Sequence, residues 1–165
     1  MAVEALEDLF LNELKDIYDA EHRLTDALSK LADHAEQEEI VTAFEEHEKQ
    51  TEDQIERLET VFEAMGESAT REECMASKGM VEETEHFLSE MDPSQEVKDR
   101  YAVTAAQKTE RYEITVYENM LQWANEGGMH SDVSKALREN LDEEIQALQK
   151  LQGIAEEFDY AKLTA

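Results

Sequence analysis

Five side chains of this sequence stand where side chains of their type are least expected. Glu21 falls inside the apolar series Ile17, Tyr18, Leu24 and Leu28, and His47 opens an interval between Phe44 and Leu58 that Thr51 and Gln54 fill. Glu113 lies between Thr109 and Val116, with Glu110 one turn earlier, and Glu144 divides Leu137 and Leu141 from Leu148 and Leu151. A carboxylate carried into a core by its neighbours must be paired, protonated or coordinated, because burying it bare is costly. Carboxylate oxygens are hard ligands and an imidazole nitrogen a borderline one, so four Glu and one His brought together suit a pair of iron or manganese ions in a helical core. A plainer reading stands beside this one. In a chain so rich in Glu some acids fall near any apolar stripe, and a position at the edge of the stripe is solvated. What favours the first reading is depth: each of the four long stripes is interrupted near its middle.

The elements that must position these residues follow from spacing. Apolar residues recur every three or four positions from Leu6 through Leu31, predicting one amphipathic helix that ends near His34. Ile40, Phe44, Ile55, Leu58, Val61, Phe62 and Met65 mark a second, closed by Gly66. The short link between them forces an antiparallel hairpin. A weaker helix then carries Cys74, Met75, Met80, Val81, Phe87, Leu88 and Met91, and Asp92-Pro93-Ser94 stops it. The third long helix runs from about Gln95 to Gly127-Gly128, and Ser131 or Asp132 is placed to cap the fourth. Two hairpins joined by a long connection that contains its own helix make an all-α, ferritin-like antiparallel four-helix bundle with one crossover, a single domain over 1–165.

Composition sets the surroundings. Of 165 residues 42 are acidic and 15 basic, a formal charge of -27 that opposes nucleic acid and anionic lipid surfaces as partners. The regular apolar stripes separate this charge from a disorder signature. Adaptation to concentrated salt, where screening is short-ranged, accounts for such a surface, with cation storage by surface acids as the rival explanation. One Cys excludes an intrachain disulfide and a cysteine-rich metal site, and no stretch approaches a membrane span or a basic, apolar leader. A cytoplasmic protein is the expectation. Tyr18, Tyr112 and Tyr117 are placed either to pack in the core or to donate to the carboxylates; His22, His34, His86 and His130 are expected in solvent. Cys74 and the Met residues of the crossover read as packing or dimer-contact residues.

Several segments together carry a family resemblance. Asp8-Leu9-Phe10 with Glu13-Leu14-Lys15-Asp16-Ile17-Tyr18-Asp19-Ala20-Glu21, Phe44-Glu45-Glu46-His47 with Thr51 and Gln54-Ile55-Glu56-Arg57-Leu58, Glu110-Arg111-Tyr112-Glu113-Ile114 with Tyr117, and Leu141-Asp142-Glu143-Glu144 resemble the bacterial YciE/YciF family of ferritin-like stress proteins. The resemblance implies a five-helix ferritin-like domain, a homodimer, a link to stress responses and a di-metal site. Better-known ferritin-like oxidases carry Glu-x-x-His on the second and fourth helices. This sequence has Thr51-x-x-Gln54 and Glu144-x-x-Ala147 there, with His47 one turn before Thr51 and Glu143 as the rival of Glu144. Two functions from different classes therefore stand: a protein binding iron or manganese for iron handling or redox chemistry under stress, and a non-enzymatic helical module for dimerisation or partner binding whose polar core strip sets helix register.

Overall fold

The computed structural model describes residues 3–164. Four long helices, α1 (Leu6–His34), α2 (Glu38–Ala64), α4 (Gln95–Glu126) and α5 (Ser131–Glu156), form the bundle, and α3 (Met75–Glu85) lies in the crossover. A π-helical turn over His86–Glu90 extends α3, and a 3-10 turn, Tyr160–Leu163, follows α5. Each long helix presents a stripe of Leu, Ile, Val, Phe or Ala, and burying that stripe, at about 1.5–3 kcal/mol per large side chain, is what fixes helices of this length in place.

The caps explain the turns. Asp8 accepts from the backbone N–H of Ala5 at 3.0 Å, tying the first turn of α1. At the end of α2, Gly66 takes φ +74° and Glu67 N–H returns to Phe62 O at 3.0 Å. At the end of α4, Gly128 takes φ +63° and Met129 N–H returns to Ala124 O at 3.0 Å. Both are glycine-terminated ends of the kind that release a chain sharply from a helix. The cap of α5 departs from expectation: His130 rather than Ser131 or Asp132 precedes the helix, and its ring Nδ1 accepts from Asp132 N–H at 3.3 Å.

Helices α1 and α2 form one hairpin and α4 and α5 the other, with α1 packed on α4 and α2 on α5. Gln95 at the start of α4 donates to His34 O at 2.7 Å, so the crossover has carried the chain the full length of the bundle before α4 begins. Helix α3 makes that passage over the groove between α1 and α4. Its entry is pinned by Asp19, which accepts from Cys74 N–H at 2.9 Å and pairs with Arg23 at 2.6 Å and Arg71 at 2.9 Å. Cys74 is completely buried and packs within the chain, whereas Met75 and Met91 are exposed. His22 is half-buried, not solvated: its ring meets the edge of Tyr18 at 4.7 Å between centroids.

The core is divided. One apolar cluster, around Phe10, Leu14, Leu58, Phe62, Met120 and Leu137, fills the end where α1 begins. A second, around Leu31, Ile40, Phe44, Val103, Leu151 and Ile154, fills the end where α1 finishes. Between them all four long helices contribute buried polar side chains.

Candidate metal centre

That polar layer contains the five side chains singled out by their spacing. Glu21 from α1, His47 from α2, Glu110 and Glu113 from α4 and Glu144 from α5 are all buried, with Glu21 and Glu144 wholly inaccessible. Thr51 and Gln54 belong to the same layer and are equally enclosed. Each residue reaches the interior for the reason its spacing gave: three or four positions separate it from apolar neighbours whose burial orients that face of the helix.

Ligand atoms of His47, Glu110, Glu113 and Glu144 all lie within 4.8 Å of one another. His47 Nε2 is 3.1 Å from Glu110 Oε1 and 3.4 Å from Glu144 Oε2, while its Nδ1 is 3.4 Å from Gln50 Oε1. One ring nitrogen thus faces the carboxylates and the other is steadied from outside, the arrangement of a metal-binding imidazole. Glu21 stands just beyond this group, its carboxyl beside that of Glu113, as Glu110 is beside Glu144. The site is two carboxyl pairs with an imidazole against one of them.

Four further residues organise it. Tyr117 donates its hydroxyl proton to Glu21 Oε1, and Asn140 Nδ2 donates to the Tyr117 oxygen at 3.1 Å. Asn140 Oδ1 in turn accepts from Arg57 at 3.0 Å, and Arg57 forms a two-pronged pair with Glu143 at 2.7 and 2.8 Å. Glu144 therefore faces inward and Glu143 serves the rim, which resolves the choice that helix phase alone left open. Tyr117 is both core and donor, whereas Tyr18 and Tyr112 donate elsewhere, to Glu59 at 2.8 Å and Asp16 at 3.0 Å. Asn140 was legible in principle, one position before Leu141 in the α5 stripe; the role of Tyr117 was not, because an aromatic at a core position conceals its hydroxyl.

The electrostatics are those of acids without counterions. Burial, then the charge of Glu144, pushes the Glu21 carboxyl up to about 8, against the opposing hydrogen bond from Tyr117. Burial raises Glu110 to about 7, with the hydrogen bond to Glu144 opposing and the Glu21 charge assisting. Glu113 is pushed well above the carboxylate range by burial and by the charges of Glu144, Glu21 and Glu110, and Glu144 by burial and the charge of Glu110. Glu21 Oε2, Glu110 Oε2 and both oxygens of Glu144 have no hydrogen-bond donor among the described residues. The Gln54 amide lies against Glu144 without a well-formed hydrogen bond. Unclaimed lone pairs on converging carboxylates fit a cation, and two divalent ions would balance four carboxylates beside a neutral imidazole.

Two hollows reach this layer from different sides. One, of about 380 Å³, lies between α1, α3 and α4 and touches His47, Glu110 and Glu113. The other, of about 260 Å³, lies between α2 and α5, touches His47 and Glu110, and is bounded by Ala147 and by the Glu46–Lys150 ion pair. Ala147, where a ferritin-like oxidase would carry an imidazole, thus borders open space. Among the described residues no helix is long and apolar enough to cross a membrane.

Comparison with known proteins agrees with this architecture. The model of a domain of unknown function, DUF892, matches residues 5–163. Protein YciF of Escherichia coli (strain K12) is 37% identical over 145 residues, which cover 87% of this chain and 86% of YciF. The crystal structure of the E. coli stress protein YciF superposes with a TM-score of 0.88 at 35% identity, covering 93% of this chain and 96% of that one. YcfI of Rhodopseudomonas palustris superposes with a TM-score of 0.87 at 35% identity, covering 91% and 94%. The chain belongs to the DUF892 family, to which its YciF-like sequence and all-α fold are proper.

Proposed function

We propose that this DUF892 chain holds a pair of divalent transition-metal ions, iron or manganese, between Glu21, His47, Glu110, Glu113 and Glu144, and uses them in iron handling or redox protection under stress. The observation that carries the reading is the layer of buried carboxylate oxygens left without donors beside His47 Nε2. A stress setting is suggested by the relative YciF, which is described as a stress protein. When bound, such ions supply one-electron redox chemistry and Lewis acidity.

The chain's own contribution is positional and protonic. Tyr117 and Asn140 fix Glu21 from one side, and Gln50 fixes the ring of His47 from the other. The apolar clusters close the layer above and below, which strengthens charge interactions within it. The carboxyls whose protons are held by burial release them as cations enter, so uptake is accompanied by acidification of the medium and strengthens with pH.

Anaerobic titration with Fe(II) or Mn(II) tests the reading. Stoichiometric binding, with proton release, is expected in the native protein and is lost in Glu113→Ala and Glu144→Ala variants that retain helical circular dichroism. Gln54 and Ala147, in place of the histidines of ferritin-like oxidases, favour the other reading, a helical module for self-association whose polar layer sets register. Native protein that takes up neither ion, and is unchanged in metal content by those substitutions, would establish that module instead.

A further inference from the structure

We infer that the larger hollow is a binding pocket for an uncharged, largely apolar small molecule, seated between α1, α3 and α4 with one end against the carboxylate layer. The inference deepens the proposed function by naming a substrate class, and rests on it for the chemistry, though not for the binding.

The first argument is volume. A dry engineered cavity of ~150 Å³ accepts benzene, and small-molecule pockets begin at ~300 Å³. At about 380 Å³ this space holds a molecule of two fused rings or a comparable branched alkyl group. The second is construction. Helix α3 bridges α1 and α4, and the wall of the hollow beneath it includes the short side chains of Ala27, Ala105 and Ala106. Larger side chains in the same places would narrow the hollow. The third is the π-helical turn over His86–Glu90, which brings Leu88, Ser89 and Glu90 to the pocket wall. π-Helical turns are rare and frequently lie at functional sites.

Charge selects among apolar molecules. The rim carries the Lys30–Glu85 ion pair and Glu90, and the floor carries Glu110 and Glu113. With the protein as a whole at -27, a carboxylate or sulfonate would meet repulsion on approach. A neutral molecule would not. The floor touches His47, Glu110 and Glu113, so a molecule seated there lies directly beside the proposed ions, whereas the hollow at Ala147 offers a second path to His47 and Glu110.

The test uses naphthalene as the probe and 2-naphthalenesulfonate as its charged counterpart, with binding followed by probe fluorescence. Saturable naphthalene binding at one per chain is expected with and without Mn(II), with the sulfonate at least about tenfold weaker. Ala27→Phe and Val81→Trp, which fill the pocket from two different helices, should each weaken naphthalene at least about tenfold, while Ala147→Leu in the other hollow leaves it unchanged. In Mn(II)-loaded protein, naphthalene should alter the electron paramagnetic resonance signal. Absence of saturable binding, or binding indifferent to both filling substitutions in folded variants, would overturn the inference. Equal binding of the sulfonate would overturn the assignment to uncharged molecules. Naphthalene binding without Mn(II) uptake would sink the metal reading and leave the pocket; uptake without naphthalene binding would do the reverse.

Discussion

Asp19 and the Glu cluster are both buried acids of the same bundle, and they are treated in opposite ways. Asp19 is 3% exposed, comparable to Glu113 at 2%, yet it is surrounded by donors: Arg23, Arg71 and the N–H of Cys74. Burial pushes its carboxyl up, but these hydrogen bonds outweigh burial and hold it below the ordinary range. The Glu cluster has Tyr117 and His47 for four carboxyls and is held above that range. An acid serving structure is thus supplied with partners by the fold. Acids left short of partners destabilise the fold, and it is on these that the proposed metal site rests.

The contrast is sharpest as a function of pH. Glu21 and Glu110 have folded values above their unfolded ones, so their stabilisation is complete below about pH 4.5 and is lost as pH rises through about 7 to 8; Glu113 and Glu144 shift in the same direction. Asp19 has the opposite sign, contributing above its unfolded value near pH 3.8 and losing that contribution as pH falls further. Chelator-treated protein should therefore lose several kcal/mol relative to a Glu21→Gln, Glu113→Gln variant between about pH 5 and 8 by urea unfolding, the variant serving to subtract the general self-repulsion of the surface. A flat difference would break the comparison.

Removing Asp19 comes next in size. Asp19→Ala should cost about 2–3 kcal/mol at pH 7, since it strands the buried N–H of Cys74 and two guanidinium groups that remain partly hydrated. Its largest local effect should be faster amide exchange in α3. Glu113→Gln should act in the other direction, stabilising chelator-treated protein by about 1–2 kcal/mol at pH 8 while weakening Mn(II) uptake measured by calorimetry. Smallest is Glu143→Gln at the half-exposed Arg57 pair, expected to cost less than about 1 kcal/mol and to leave Mn(II) uptake unchanged. An equal effect of Glu143→Gln and Glu144→Gln on uptake would mean that orientation within the layer is irrelevant.

Much of this organisation is legible in the order of residues. The stripes ending at His34, Gly66 and Gly127-Gly128 mark the helices closely because apolar spacing and positive-φ glycines are local properties. The polar layer is legible as interruptions, since Glu21, His47, Glu110, Glu113 and Glu144 each occupy a phase that their neighbours bury. Asp19 is not, because it points to the side of α1 that only the crossover covers, and no periodicity within α1 records what α3 will do. The pocket is hidden for the same reason: Ala27, Ala105 and Ala106 read as good helix formers, and become the walls of a cavity only when a third helix is laid across them. His130 as a cap escaped because its ring nitrogen acts where Ser or Asp ordinarily does.

The divided core has a consequence for the order of events in folding. Each hairpin joins neighbours in sequence, whereas the layer requires Glu21 and His47 from one hairpin to meet Glu110, Glu113 and Glu144 from the other. Hairpins with local contacts assemble early, and a layer of mutually repelling acids is completed only when the halves dock. Were the proposed ions to occupy the layer, they would stabilise the finished state more than the barrier leading to it, with a longer-lived native protein and a nearly unchanged refolding rate as their signature.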